Sequence, residues 1–200
     1  MEKQNDTRRR IASLTSNILN PFLLCLALIF FFSFTSTSST PEAIKWAFLS
    51  MAGSILPVFL LIIYMIRNGR LDSFFVQVRE QRTRLYVVGC LCACISCITL
   101  TYLKAPSILV SAFVTGFSTA LIFTLINLWW KINLHTALVA ASATVLVMLY
   151  GWAAAATVAL VPLTAWARIE LEYHSLAQAV SGALLATLIV VAIFYPLALA

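Results

Sequence analysis

A chain of 200 residues that is 62% apolar and only 10% charged lies far from soluble domains, where apolar residues run near half and charges near a quarter. The composition excludes a soluble catalytic domain and puts most of the chain in a lipid bilayer. At about 20 residues per spanning helix it can supply about six or seven of them. The charge is lopsided, with 13 Lys and Arg against 7 Asp and Glu, and the placement of those 13 carries most of the functional signal.

Taken in chain order, residues 1–16 are polar and hold the run Arg8, Arg9, Arg10, and residues 17–35 are predicted as a first span. The basic start also fits a signal peptide, but there is no good small-residue cleavage site and the rest is polytopic, so a span is preferred. Further spans are predicted over 44–66, 85–103 and 106–129. Lys104-Ala105-Pro106 forms the turn between the last two, since proline just past a helix end is a stop signal. The uncharged stretch 135–166 reads as two short helices turning near Gly151, where a glycine between apolar runs breaks helix propensity; one very long helix is the alternative. A last span covers 176–199. No period-two barrel strand is visible, so the expected fold is all-α, a polytopic transmembrane helix bundle whose helices satisfy their own backbone polar groups. Residues 1–43 form a basic segment with the first helix, and 44–200 a six-helix membrane core.

With seven spans, the N-terminus, the loop 67–84 and the links 130–134 and 167–175 share one face of the membrane. Eleven of the 13 basic residues fall there: Lys3, Arg8, Arg9, Arg10, Arg67, Arg70, Arg79, Arg82, Arg84, Lys131 and Arg168, against Lys45 and Lys104 on the other face. The excess of positive charge makes the crowded face cytoplasmic. Removing the five nearest the candidate site leaves six against two, with the same sign. Arg8–Arg10, Arg67 and Arg70 read as solvated topology signals, whereas Arg168 and His174 directly follow an apolar run, where ionisable groups default to function.

Three segments on that face carry chemistry. In "WARIELEYHSLAQAVSG", Gln178 lies four residues beyond His174, on the same face of a helix, and can hold its ring. In "WWKINLHTA", Lys131 precedes His135 by four. In "VREQRTRLY", Arg79, Arg82 and Arg84 enter the third span. The two histidines, the only two in the chain, thus fall at helix ends on the face that holds three cationic segments. Arginine forks match phosphate oxygens, fixed cations offset the charge of phosphoryl transfer, and imidazole serves as nucleophile and acid near neutral pH.

These residues resemble the type 2 phosphatidic acid phosphatase superfamily, whose signature is K-x6-R-P, then P-S-G-H, then S-R-x5-H-x3-D. The third motif is matched by Arg168 and His174, with Ala167 for the serine and Gln178 for the aspartate, an H-x3-Q ending like that of the dolichyl-diphosphatase branch. "INLH" stands for the second motif, keeping His135, with Asn133 in place of the serine. In the first, Arg82 fits the arginine, Thr83 replaces the proline and Phe75 occupies the lysine position. The resemblance runs from about residue 67 to 199. It implies a metal-free and cofactor-free hydrolase of a lipid phosphate or diphosphate, prenyl diphosphate preferred, working through a phosphohistidine. His174 would attack phosphorus, His135 protonate the leaving oxygen, and Arg82 and Arg168 hold the phosphoryl oxygens, with Arg79 or Lys131 standing in for the missing lysine. Gln178 orients the imidazole without supplying negative charge, and Asn133 still offers an amide donor. Glu170 and Glu172 are expected to be solvated interfacial carboxylates.

Other signals are set aside. Cys90, Cys94 and Cys97 share a helix face and Cys92 does not, which disfavours four-ligand metal geometry. No carboxylate cluster suggests a magnesium-dependent prenyl transferase, and no nucleic-acid module is present. The alternatives are a phosphotransferase using the same site and a non-catalytic member that binds lipid phosphates. A small transporter would show an internal repeat, and none is seen.

Overall fold

The computed structural model describes the backbone of residues 2–70 and 79–198 and the side chains within 6–70 and 83–197. Among the described residues every regular element is helical: α1 (Glu2–Ile18), α2 (Pro21–Thr35), α3 (Thr40–Gly53), α4 (Ile55–Arg67), α5 (Arg79–Tyr102), α6 (Ser107–Asn127), α7 (Leu134–Tyr150), a 3-10 stretch (Gly151–Ala159), α8 (Leu160–Glu170) and α9 (Leu176–Ile189). A π-helical turn (Val190–Phe194) and one more α-turn (Tyr195–Ala198) prolong α9. The chain divides into two compact units, one of residues 1–24 with 132–195, the other of 25–131 with 196–200.

Among the described residues five stretches are long and apolar enough to cross a membrane: Thr40–Arg67, Thr83–Tyr102, Ser107–Asn127, Leu134–Glu170 and Leu176–Leu197. A sixth arises if Asp6–Ile18 and Pro21–Thr35, bent by 40°, count as one span. Two places separate this from the seven spans expected. The predicted first span begins at residue 17, but the helix breaks before Pro21, whose missing N–H suits the first turn of a new helix. Asn20 caps that turn, its Oδ1 accepting from the Leu23 N–H at 3.0 Å. With 15 residues, about 22 Å long, α2 is too short to cross a core of about 30 Å by itself.

The second place is 135–166, which forms one continuous helical stretch, Leu134–Glu170, of 37 residues. It is not a straight rod. α7 packs against both the 3-10 stretch and α8, which nine intervening residues would hold at least 15 Å apart if the axis ran on. The chain folds back at Gly151, whose φ of +57° is a conformation that glycine adopts without a Cβ clash.

In the unit of residues 25–131, α3 and α4 divide at Ser54 because Pro57 has no N–H for the Gly53 carbonyl and its ring crowds it. α3 crosses α5 closely, since a Cβ at Gly53 would lie 2.6 Å from Ser96 Oγ. α5 and α6 form a hairpin at the Lys104–Pro106 turn. Lys104 is left-handed, with φ +56°, and the Ala105 N–H reaches the Leu100 carbonyl at 2.9 Å, the bonding of a Schellman cap.

In the other unit, α7 packs along α9. Ala137, Val139, Ala140 and Ala143 on α7 and Ala179 and Ala186 on α9 are buried, so small side chains let the backbones approach closely. The Asn133 N–H lies 3.4 Å from the Gln178 carbonyl, and Thr144 Oγ1 lies 3.4 Å from Thr187 Oγ1. Moving forward on one helix therefore moves forward on the other: α7 and α9 run parallel, and α8 is the return limb between them.

Candidate functional site

Because α7 and α9 are parallel and in register at their starts, both helix N-termini lie at the same end of the unit. Each N-terminus carries about half a positive charge from its aligned peptide dipoles. Two side by side repel one another and together favour an anion. Both starts are capped by side chains that the sequence supplies for the purpose. Asn133 Oδ1 accepts from the His135 N–H at 3.1 Å and the Thr136 N–H at 3.3 Å. Ser175 Oγ accepts from the Gln178 N–H at 3.3 Å while Gln178 Oε1 accepts from the Ser175 N–H at 3.2 Å, a capping box.

Five of the residues singled out in the sequence belong to this end. Asn133, His135 and His174 are buried, with His135 in the first turn of α7 and His174 just ahead of the α9 cap. His174 Nδ1 lies 2.9 Å from Gln178 Oε1, the contact expected from their four-residue spacing. The orientation of the Gln178 amide follows from the capping box, since the oxygen must face the Ser175 N–H. An amide oxygen only accepts, so His174 Nδ1 carries the hydrogen and, in the neutral ring, Nε2 carries the lone pair. Gln178 thus selects the tautomer with the lone pair on Nε2.

Asn133 reaches a similar outcome by elimination. Its Oδ1 is committed to two backbone N–H groups, and its buried Nδ2 has no hydrogen-bond partner, as is true of the buried Thr136 Oγ1. Unsatisfied buried donors are rare, and an anion at the two helix starts would answer this one. Gly182 makes the approach possible, since a Cβ there would fall 2.8 Å from the Asn133 carbonyl oxygen.

Arg168 ends α8 and is buried. Its Nη1 donates to Ser16 Oγ at 2.9 Å, and its guanidinium lies 4.5 Å from the centre of the Tyr173 ring. Its carbonyl accepts from the N–H groups of Tyr173 at 3.1 Å and His174 at 3.3 Å. The helix closes in a Schellman cap with Glu172, at φ +58°, where glycine is usual. One residue therefore anchors, through its backbone, the turn that presents His174.

Glu172 is solvated, as expected, while Glu170 is largely covered, and both carboxylates are paired. Glu170 pairs with Arg8 at 2.9 Å and Glu172 with Arg9 at 2.7 Å. Arg10 pairs with Asp6 along α1. The topology reading of Arg8 and Arg9 missed these partners, as it missed Ser16, because they lie more than 150 residues away in sequence. Gly182 had a local signal, standing with Ala179 and Ala186 at helical spacing.

The remaining candidates belong to the other unit. Arg79 and Arg82 open α5, with side chains outside the described residues, as is Phe75. Arg84 is exposed on α5, and Lys131 ends the segment after α6. The five cysteines are free, and among the described residues no three His, Cys, Asp or Glu side chains gather as metal ligands would. Comparison of the chain with protein-family profiles, with characterised proteins and with solved structures gives no match.

Proposed function

We propose that the protein is an integral membrane phosphatase of the type 2 phosphatidic acid phosphatase kind, acting on a lipid phosphate or diphosphate, with prenyl diphosphate preferred. The observation that carries the reading is the parallel α7–α9 pair. Two positive helix ends, a buried arginine and a histidine held in its Nε2-nucleophilic tautomer belong to one end of one unit.

In this scheme the phosphoryl group lies at the helix starts, its oxygens met by Arg168 and by the Asn133 amide. His174 Nε2 attacks phosphorus. The N–P bond forms as the bond from phosphorus to the leaving oxygen breaks, and His135 delivers the proton that oxygen needs. Water then attacks the phosphohistidine, the N–P bond breaks and orthophosphate leaves, with no metal ion in the scheme. Arg79, Arg82 and Lys131 remain candidates for further phosphate contacts by their place in the motif pattern alone. The Leu134–Glu170 stretch is counted as two crossings and the bent α1–α2 pair as one, giving seven, with the basic face in the cytoplasm.

The test uses protein purified in detergent with a chelator, offered prenyl diphosphate or phosphatidic acid. Wild type is expected to release phosphate and His174→Ala to release none. No release from any lipid phosphate, or undiminished release by the variant, overturns the reading; lipid-phosphate binding without release would indicate the non-catalytic alternative. For sidedness, a cysteine at position 70 in a cysteine-free background is expected to resist labelling from outside intact cells.

A further inference from the structure

α1 is tied to the segment bearing Arg168 and His174 by three side-chain contacts: Arg8 to Glu170, Arg9 to Glu172, and Ser16 to Arg168. Arg8 and Ser16 are eight residues apart, so the contacts extend over about 12 Å of helix. Between them Ala12 is fully buried, one turn before Ser16, on the face that packs against α8. A rigid helix held at both ends in this way can neither slide nor rotate without breaking a contact.

The contacts act on different parts of the turn. Arg8 and Arg9 hold the carboxylates on either side of Leu171, including that of Glu172, whose left-handed backbone is one that L side chains seldom adopt. Ser16 acts on the guanidinium itself. Both partners are buried, at 2% and 4% exposure. The Ser16 hydroxyl meets the guanidinium at one edge while the Tyr173 ring lies 4.5 Å away. The directional bond and the ring contact both bear on a planar group whose use depends on orientation.

We infer that α1 is a positioning element of this site: Ser16 aims the Arg168 guanidinium, and the Arg8–Glu170 and Arg9–Glu172 pairs fix the turn that presents His174. The effect on catalysis rests on the phosphatase reading; the effect on the turn does not. Ser16, Arg8 and Arg9 touch no substrate in this scheme and act through Arg168 and His174.

The experiment has two arms on the full-length protein in detergent. In the first, hydrogen exchange is followed on peptides covering residues 169–175. Arg9→Glu is expected to speed exchange of the Tyr173 and His174 amides by about threefold or more, the scale of an exposed ion pair, and the Arg9→Glu/Glu172→Arg exchange of charges to restore protection. In the second, phosphate release is measured per folded protein. Ser16→Ala is expected to lower kcat/KM by about tenfold, as for a displaced clamp, and the charge-exchanged double variant to recover what Arg9→Glu loses. If wild type releases no phosphate, the phosphatase reading fails and the first arm decides alone. Unchanged exchange in Arg9→Glu, or no recovery in the double variant, overturns the clamp. With an active wild type, kcat/KM unchanged in Ser16→Ala overturns the role given to Ser16, even if that variant melts at a lower temperature.

Discussion

His174 Nδ1 lies 2.9 Å from Gln178 Oε1, and the same oxygen accepts the Ser175 N–H at 3.2 Å. One amide thus both starts α9 and sets the tautomer of the histidine in front of it. Replacing it by leucine removes both bonds. Gln178→Leu is expected to lower phosphate release by about ten- to a hundredfold, the scale on which a metal-ligating histidine suffers when its orienting partner is lost. Gln178→Glu keeps both acceptor roles and adds a negative charge that favours the imidazolium. Since attack in the proposed scheme needs the neutral ring, the acidic limb of the pH–rate profile should move to higher pH in Gln178→Glu. A limb that stays in place, measured from pH 4 to 9, would show that His174 does not titrate in that limb.

Gly182 is required by packing. A methyl group there would meet the Asn133 carbonyl at 2.8 Å, and that contact is with backbone, which cannot swing aside. Gly182→Ala is expected to destabilise the protein by about 1–3 kcal/mol, as overpacking does, and to push the start of α7 away from α9. Because Asn133 caps α7 and precedes His135 by two residues, activity per folded molecule should fall as well. Thermal unfolding in detergent together with rate measurements checks both; a variant with normal melting and rate would mean that α7 and α9 can separate without consequence.

How much of this was legible depended on the range over which each feature is set. Gly151, Lys104–Pro106 and the His174–Gln178 pair are local: a glycine between apolar runs, a proline after a helix and a four-residue spacing are each complete within one segment. The parallel arrangement of α7 and α9 follows from where Asn133 and Thr144 touch α9, which no periodicity encodes. The partners of Arg8, Arg9 and Arg168 lie on elements far apart in the chain, and a basic run ahead of an apolar one reads the same whether it faces solvent or Glu170. At Asn20-Pro21 the signal for a new helix was present, but the apolar run through it pointed to one unbroken span.

Arg168 is held by geometry as much as by charge. Its guanidinium bonds to Ser16 and lies beside Tyr173, and lysine, a flexible point charge, lacks the planar fork that fixes both contacts at once. Arg168→Lys therefore preserves the net charge of the site while losing the fork. Its kcat/KM for lipid phosphate is expected to fall by about tenfold or more, which corresponds to about 1.4 kcal/mol of transition-state stabilisation. Full activity in Arg168→Lys would leave a diffuse positive potential as all that the residue supplies.

Gly151 presents the opposite case from Gly182. Nothing lies within 4 Å of where its Cβ would be, so alanine there meets no neighbour, and the cost is confined to the backbone. With φ +57° and ψ −135° the residue occupies a region that side chains strongly disfavour, at about 1–3 kcal/mol. Gly151→Ala is therefore expected to lower stability by an amount in that range. The Asn133–Gln178 contact lies at the other end of α7, some 25 Å away for a helix of 17 residues, so kcat/KM per folded molecule should stay near wild type. A large loss of activity at unchanged stability would mean that the fold-back at Gly151 sets the register of α8, and through it the placement of Arg168. The two glycines together thus separate strain at the distal turn from close packing at the site.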